Sequence, residues 1–172
     1  MNETDLKMLF QRFREGDENA FAAIYQTLKL PVYTVCWRIV QIRETAEDLT
    51  HEIFLKLYIS PPEETVRNER AWVFQMAHNA SIDVLRKRRE LPWDGKECAA
   101  EEKFTALDQS LDLESAMSRL PDDYRQIITL HLNAGLSFQQ ISQIMGLSLS
   151  GAFRNYRKAI KLLRQLLEGG TV

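Results

Sequence analysis

Lysine and arginine are concentrated in two stretches of this chain. Residues 86–89 read Arg-Lys-Arg-Arg, and residues 150–167 carry five cations without a single acid. The segment between them, 94–114, holds seven acids against two lysines. Clustered cations neutralise the phosphates of a nucleic acid, but charges of one sign also occur on helix faces that only meet solvent. The pattern favours two contacts with a polyanion and leaves two solvated faces open as the alternative.

The side chains that carry enzyme or metal chemistry do not come together in any known motif. His51-Glu52 begins like the zinc-protease motif HExxH, but Leu55 stands where the second histidine belongs. His78 and His131 have no partner at metal-ligand spacing. The sequence contains no Walker loop, GxSxG or dinucleotide fingerprint. We therefore expect no enzyme activity, no cofactor and no metal.

Composition indicates a globular protein. The chain has 172 residues, of which 45% are hydrophobic and 27% charged, a balance that can build a core in one large or two small domains. No apolar run is long enough to span a membrane, and the first ten residues do not resemble a signal peptide. Cys36 and Cys98 are far apart and fit free thiols in a reducing compartment. We expect a cytoplasmic protein without membrane insertion.

Apolar residues recur at helical spacing and never alternate as in a strand, which predicts an all-α protein. Pro31 is predicted to open a helix, and Thr45 to cap the next one with Asp48 three residues on. A long helix is expected from Glu69 to about Arg89. The expected inward residues are Leu6, Leu9, Phe10 and Phe13; Phe21, Ile24, Tyr25 and Leu28; Val32, Val35, Cys36 and Ile39; Ala46, Leu49, Ile53, Phe54 and Leu57; and Trp72, Val73, Met76, Ala80 and Val84.

Pro92, Gly95 and the acidic run predict a linker over 92–112 between helical domains at 1–91 and 113–172. In the second domain, Pro121 is predicted to begin a helix that ends at Gly135. Residues 137–140 read as a capping box, and Gly146 as a turn into a basic helix. A short helix, a glycine turn and a basic helix form a helix-turn-helix, whose second helix enters the DNA major groove. An ordinary helical hairpin is the alternative.

Several motifs in this order resemble the extracytoplasmic-function (ECF) sigma factors of bacterial RNA polymerase. Residues 46–56 read AEDLTHEIFLK, and residues 72–79 read WVFQMAHN, followed by Asp83, Leu85, Arg86 and Lys87. The others are GDENAF at 16–21, LPDDYR at 120–125 and GLSFQQI at 135–141. The resemblance implies a transcription initiation factor that binds core RNA polymerase, directs it to the −10 and −35 promoter elements and helps open the DNA. A stand-alone helix-turn-helix regulator with an amino-terminal sensing or dimerisation domain is the alternative.

The resemblance also implies partners and site residues. The partners are the β′ clamp and β flap of the polymerase, promoter DNA and an anti-sigma factor. The polymerase-binding residues are Glu47, Asp48, His51, Glu52 and Leu55. The −10 residues are Gln75, Asn79, Asp83, Arg86, Lys87, Arg88 and Arg89. The −35 residues are Ser148, Ser150, Gly151, Phe153, Arg154, Arg157 and Lys158.

Some positions depart from the family or have two interpretations. His51 replaces the usual glutamine, and residues 151–155 read GAFRN where TVKSR is typical. Gly151 is expected to weaken the start of its helix by up to about 1 kcal/mol relative to alanine. Phe153 replaces a cation, so general DNA affinity is expected to fall and the −35 preference to be atypical. Trp72 and Phe74 are candidates to stack on unpaired bases, although periodicity favours Trp72 in the core.

Overall fold

The structure, a computed structural model, describes residues 3–90 and 108–169. These residues form eight α-helices and no strand, which confirms the predicted all-α class. The chain divides into two compact units, residues 1–89 and 90–172. The first unit contains α1 (Glu3–Arg14), α2 (Glu18–Val40), α3 (Arg43–Ile59) and α4 (Glu69–Glu90). The second contains α5 (Asp108–Ser118), α6 (Asp122–Leu132), α7 (Phe138–Met145) and α8 (Leu149–Glu168).

The core of the first unit is built from apolar side chains on all four of its helices. Every predicted inward residue of α3 is buried, whereas the predicted stripes of α1 and α2 are buried in part. The half-exposed members are Leu9, Phe13, Phe21 and Tyr25. Asp17 begins α2 by accepting hydrogen bonds from the backbone N–H groups of Asn19 and Ala20. Helix α2 packs against both α1 and α3.

The prediction that Pro31 opens a separate helix is wrong. Helix α2 is continuous from Glu18 to Val40 and has Pro31 in its interior. A proline there removes one backbone hydrogen bond, which ordinarily breaks or kinks a helix. The buried stripe continues on both sides of the proline, through Ile24 and Leu28 before it and Val32 and Val35 after it. Burial on both sides stabilises the helix across the missing bond.

The prediction that Thr45 caps α3 is also wrong. The helix begins at Arg43, and its capping residue, Ile42, makes no side-chain cap hydrogen bond. The Thr45 hydroxyl instead accepts a hydrogen bond from Arg88 on α4 at 3.1 Å. A long-range partner therefore uses the side chain that local rules assigned to the cap.

Helix α4 begins where Asn68 accepts a hydrogen bond from the Ala71 backbone N–H at 2.7 Å. Its buried face differs from the predicted one. Of the expected residues only Val73 is buried, while Trp72, Met76, Ala80 and Val84 are half-exposed. The fully buried side instead consists of Phe74, Ala77 and Ser81, with Glu69 and His78 beside them. The buried face of α4 therefore lies about one residue further along the sequence than predicted, which turns it around the helix axis.

The helix-turn-helix of the second unit follows its predicted local signals closely. Ser137 and Gln140 form both hydrogen bonds of the capping box, at 2.8 and 3.3 Å. Gly146 ends α7 with a φ of 65°, which a side chain with a Cβ rarely adopts. Helix α6 begins after Pro121 as predicted but ends at Leu132, before the expected Gly135.

The predicted linker, 92–112, lies mostly outside the described residues. Its last five residues are the exception, because α5 begins at Asp108. Helix α5 is joined to α6 by Arg125, which is buried and donates hydrogen bonds to the carbonyls of Ser118 and Leu120 at 3.2 and 3.1 Å. The guanidinium also pairs with Asp122. Helical structure in the second unit therefore starts before residue 113.

Candidate protein and nucleic-acid interfaces

The outer face of α3 is acidic and also carries exposed apolar side chains, among them Leu55 and Ile59. The core side of the helix consists of Ala46, Leu49, Thr50, Ile53, Phe54 and Leu57, and the opposite side faces solvent. All five predicted polymerase-binding residues are exposed there: Glu47, Asp48, His51, Glu52 and Leu55. Leu55 keeps 59% of its surface accessible.

Two acids of this face form ion pairs along the helix. Arg43 Nε lies 3.0 Å from Glu47 Oε1, and Lys56 Nζ lies 2.6 Å from Glu52 Oε1. Pairs this exposed contribute little to stability, because water competes for both partners. The acids are therefore free to exchange these cations for those of a protein partner.

The outer face of α4 combines amide, acidic and basic side chains. Gln75, Asn79, Asp83 and Arg86 are exposed and follow one another at intervals of three or four residues. Asp83 and Arg86 are paired at 3.1 Å. Half-exposed Trp72 precedes Gln75 by three residues and lies on the same side of the helix. An aromatic ring, two amides and a cation therefore share one stripe.

Arg88 differs from the other residues of the basic block. It is half-buried, and its guanidinium donates to the Val40 carbonyl at 3.4 Å and to the Thr45 hydroxyl at 3.1 Å. Arg86, Lys87 and Arg89 are exposed. Arg88 thus connects α4 to the end of α2 and the start of α3, a role that the charge pattern alone did not reveal.

The interpretation of Phe74 as a base-stacking residue is wrong. Its side chain is 0% exposed, and the Arg70 guanidinium lies 5.4 Å above the ring. A ring enclosed on every side cannot receive an unpaired base. Trp72 is the aromatic residue of this helix that keeps accessible surface, so the expectation that it belongs to the core is only half met.

The loop between α3 and α4 is attached to α1 by Arg14. Its guanidinium donates to the Pro62 carbonyl at 3.1 Å and lies 3.9 Å from Glu69 Oε1 at the start of α4. Both charged side chains are largely buried. Sequence analysis missed this contact, because the partners are 48 and 55 positions away and no local motif connects them.

Helix α8 begins with a serine cap that explains the glycine at position 151. The Ser148 hydroxyl accepts a hydrogen bond from the Gly151 backbone N–H at 3.0 Å. A Cβ on residue 151 would lie 2.9 Å from that hydroxyl oxygen, closer than real contacts allow. Gly151 is also buried, so it supports the helix start and presents no side chain to a ligand.

The outer face of α8 is basic. Ala152, Ala159 and Leu163 are buried on the inner side. The exposed residues of its first turns are Leu149, Ser150, Phe153, Arg154, Arg157 and Lys158. These include all the predicted −35 residues other than the capping residue Ser148, which is itself exposed, and buried Gly151.

An aromatic cluster supports this face. Phe138 on α7 stacks on His131 with ring centroids 4.5 Å apart, and Tyr156 on α8 meets both rings edge-on. Phe153 approaches Phe138 at 5.3 Å and 87°. The Nδ1 atom of His131 lies 2.9 Å from the Leu136 carbonyl. The cluster joins α6, α7 and α8 beneath the exposed cations.

Titratable groups away from these faces have structural roles. Burial raises the pKa of the Cys36 thiol to about 11, against weaker lowering by hydrogen bonds with Ser81 and Thr50. The Arg12 guanidinium holds the pKa of Asp17 below its usual value, together with backbone N–H groups of α2. Within residues 3–90 and 108–169, no cluster of three or more metal-ligating side chains occurs. No helix in those ranges is long and apolar enough to cross a membrane.

Two family models match the two units separately. The model of Sigma-70 region 2 matches residues 24–90, and that of Sigma-70, region 4 matches residues 110–163. Together they cover well over half of the chain in the order expected for the family. The chain belongs to the ECF sigma factors. As a member of that family, it is a promoter-specific initiation factor of RNA polymerase, and the stand-alone regulator is not favoured.

Curated relatives of this ECF sigma factor match it along almost its whole length. ECF RNA polymerase sigma factor SigW of Bacillus subtilis is 26% identical over 183 residues, covering 96% of this chain and 98% of SigW. SigM of the same species is 29% identical over 152 residues, covering 84% of this chain and 91% of SigM. Both carry the ECF sigma factor name, in agreement with the two family models.

Solved structures share the fold. CnrH, solved with the cytosolic domain of CnrY, aligns with a TM-score of 0.71 and 18% identity over 96% of this chain and 98% of CnrH. RpoE of Bartonella quintana, solved with the anti-sigma factor NepR, aligns with a TM-score of 0.67 and 21% identity. That alignment covers 86% of this chain and 96% of RpoE.

Proposed function

We propose that three exposed helix faces divide the work of initiation in this sigma factor. The acidic face of α3 binds the β′ clamp of core RNA polymerase. The polar face of α4 reads and helps open the −10 element, and the basic face of α8 reads the −35 element. The observation that carries this division is the opposite charge of the outer faces of α3 and α8.

The face of α3 is suited to a protein partner. Its carboxylates would repel DNA phosphates, whereas cationic side chains on a protein would attract them. Leu55 adds an exposed apolar contact among the acids, and the centre of a protein interface needs such a contact. His51 stands where the family usually has glutamine and keeps a group that can form a hydrogen bond.

The face of α4 is suited to unpaired DNA. Asn79 can form two hydrogen bonds with a base edge, and half-exposed Trp72 offers a ring on which a base can stack. Arg86, Lys87 and Arg89 supply positive charge for the backbone. The loop before α4, which Arg14 attaches to α1, borders this face and would help hold a base flipped out of the duplex.

The face of α8 is suited to duplex DNA. In a helix-turn-helix, the amino-terminal residues of the second helix reach base edges in the major groove. Ser150, Phe153 and Arg154 occupy that end of α8, and Arg157 and Lys158 follow one turn later. The αL glycine that ends α7 and the Ser148 cap of α8 orient this end of the helix.

An anti-sigma factor is a further proposed partner. RpoE was solved in complex with the anti-sigma factor NepR, and CnrH was solved in complex with the cytosolic domain of CnrY. A regulator that covers the face of α3 or α8 would keep this chain from the polymerase or the promoter. We place the protein in the cytoplasm, where the polymerase and the chromosome are found.

Reconstituted transcription tests the proposed function. Purified protein is added to core RNA polymerase with genomic fragments as templates, and transcript starts are mapped. We expect starts at a small set of promoters that share −10 and −35 sequences, and no such starts with core polymerase alone. Duplex binding without polymerase, combined with no effect on transcript starts, would contradict the proposal and support the stand-alone regulator.

A further inference from the structure

Phe153 is the unusual member of the basic face of α8. It is 49% exposed, and its exposed neighbours on the helix are Leu149 and the hydroxyl of Ser150 about one turn before it and the cations of Arg154 and Arg157. A cation at this position would attract phosphates. A phenyl ring cannot, so its presence in this face needs a different contact.

The structure holds the Phe153 ring in a defined orientation. The ring meets Phe138 edge-on at 5.3 Å, and Phe138 is itself fixed between His131 and Tyr156. One side of the Phe153 ring is therefore packed, and the other side is open to solvent. A side chain oriented before binding loses less conformational entropy when it meets its ligand.

The position of the ring matches the part of a recognition helix that reaches bases. Phe153 is the fifth residue of α8, one turn after Ser150 and next to Arg154. Phosphate contacts fall to the cations around it. In a helix-turn-helix bound to DNA, a residue at this point of the second helix faces the major groove.

The groups that each base presents in the major groove decide which base Phe153 can contact. Adenine, guanine and cytosine present only hydrogen-bond donors and acceptors in the major groove, whereas thymine also presents its 5-methyl group. A phenyl ring has no donor or acceptor for the polar groups. We propose that Phe153 makes the −35 element specific for a thymine at one position by packing against that methyl group. This inference rests on the proposed role of α8 in −35 recognition.

Removing a single methyl group from the DNA tests the proposal. The holoenzyme, formed from core RNA polymerase and the full chain, is bound to a promoter that it selects from genomic fragments. Each thymine of the −35 element, on either strand, is replaced in turn by deoxyuridine, which keeps every hydrogen bond and lacks only the methyl group. At one position we expect wild-type affinity to fall about fourfold, the value of roughly one buried methyl group.

The protein variants complete a double-mutant cycle. Phe153→Ala should bind the thymine and deoxyuridine promoters equally, and Phe153→Leu should keep part of the preference. Leu132→Ala, which removes an exposed leucine on α6, should keep the full wild-type preference. Circular dichroism and polymerase co-elution check that each variant is folded.

The outcomes separate this inference from the function on which it rests. If deoxyuridine has no effect at any position, or the same effect in Phe153→Ala, the thymine contact is wrong. A selected −35 element without a thymine on either strand also overturns it. If scrambling the whole −35 element leaves binding unchanged, the proposed role of α8 itself fails.

Discussion

Helices α3 and α8 have the same design and opposite charge. Each buries one apolar side and exposes a charged side that also carries large apolar residues, among them Leu55 and Ile59 on α3 and Leu149 and Phe153 on α8. Around Leu55 the charges are mainly carboxylates, and around Phe153 they are guanidinium and ammonium groups. Both faces are too exposed to add much to folding stability.

In the proposed function, the sign of the charge determines which class of partner each face binds. Carboxylates exclude DNA and admit a protein, whereas cations admit DNA. We propose that Leu55 and Phe153 add apolar contacts that the charges cannot supply, Leu55 with the partner protein and Phe153 with a base. If this is correct, changes to the charges and changes to the residues beneath them should have separable effects.

The largest effect is expected from reversing the charge of α3. In the double variant Asp48→Lys with Glu52→Lys, like charges should meet at the polymerase surface, which costs several kcal/mol. Co-elution with core polymerase should be lost, a decrease of roughly a hundredfold or more. The free energy of unfolding should change by about 0.5 kcal/mol or less per substitution, since both side chains are exposed.

The matched control is Glu15→Lys at the exposed end of α1, which should bind polymerase like the wild type. Retained co-elution of the α3 variant would refute the assignment of its face to a protein partner.

Two arginines of the second unit separate stability from binding. Arg125→Met should leave the carbonyls of Ser118 and Leu120 without their buried donor and lower the free energy of unfolding by about 1–3 kcal/mol. Arg154→Met, on the exposed face, should change it by about 0.5 kcal/mol or less. Chemical denaturation measures both values.

For promoter binding, we expect Arg154→Met to have a larger effect than Arg125→Met. Arg154→Met should weaken binding to promoters with an intact −35 element and have no effect once that element is scrambled. Equal loss of stability in the two variants would mean that Arg154 is also part of the fold.

On α4, two substitutions should distinguish contacts with DNA bases from contacts with the DNA backbone. Asn79→Ala should relax discrimination at one −10 position by about 1–3 kcal/mol. Lys87→Ala should weaken binding to every promoter evenly and lower the slope of log affinity against log salt by about 1. Titrations of the holoenzyme on promoters scrambled separately at each element measure both effects.

Lys87 is the better probe of the backbone contact than Arg88, because Arg88 also holds α2 and α3 and its loss would mix the two effects. Sensitivity of Asn79→Ala to the −35 element would contradict the placement of the two readers.

The smallest effect is expected beneath α3, at Cys36. Its pKa of about 11 keeps the thiol protonated near neutral pH, so in a Cys98→Ser background it should not react with a thiol reagent until the protein unfolds. Because the pKa of the folded Cys36 thiol lies above its ordinary value of 9.0, the folded state holds the proton more tightly than the unfolded state. Its contribution to stability should be complete below pH 9 and decline as the pH rises toward about 11.

Unfolding curves of the wild type and Cys36→Ala, compared across that pH range, isolate this contribution. Rapid labelling of the native protein would show that the thiol is accessible and would refute its burial under α3.

Features that depend on neighbours in the chain were determined by the sequence itself. The capping box at Ser137 and Gln140, the αL turn at Gly146 and the inward stripe of α3 all appear where they were predicted. Each uses groups a few residues apart, so the backbone and the residue types suffice. The outer face of α3 follows from that stripe.

Other features were decided by the tertiary structure, because their partners are far apart in the sequence. Burial on both sides keeps α2 helical through Pro31, and Arg88 takes the Thr45 hydroxyl from a distance of 43 positions. On α4, Phe74 is buried where Trp72 and Met76 were predicted to be, because the helix turns a different side toward the other helices. The spacing of apolar residues predicts which side of a helix is buried only to within about one residue. Packing against the neighbouring helices decides which side chains are enclosed.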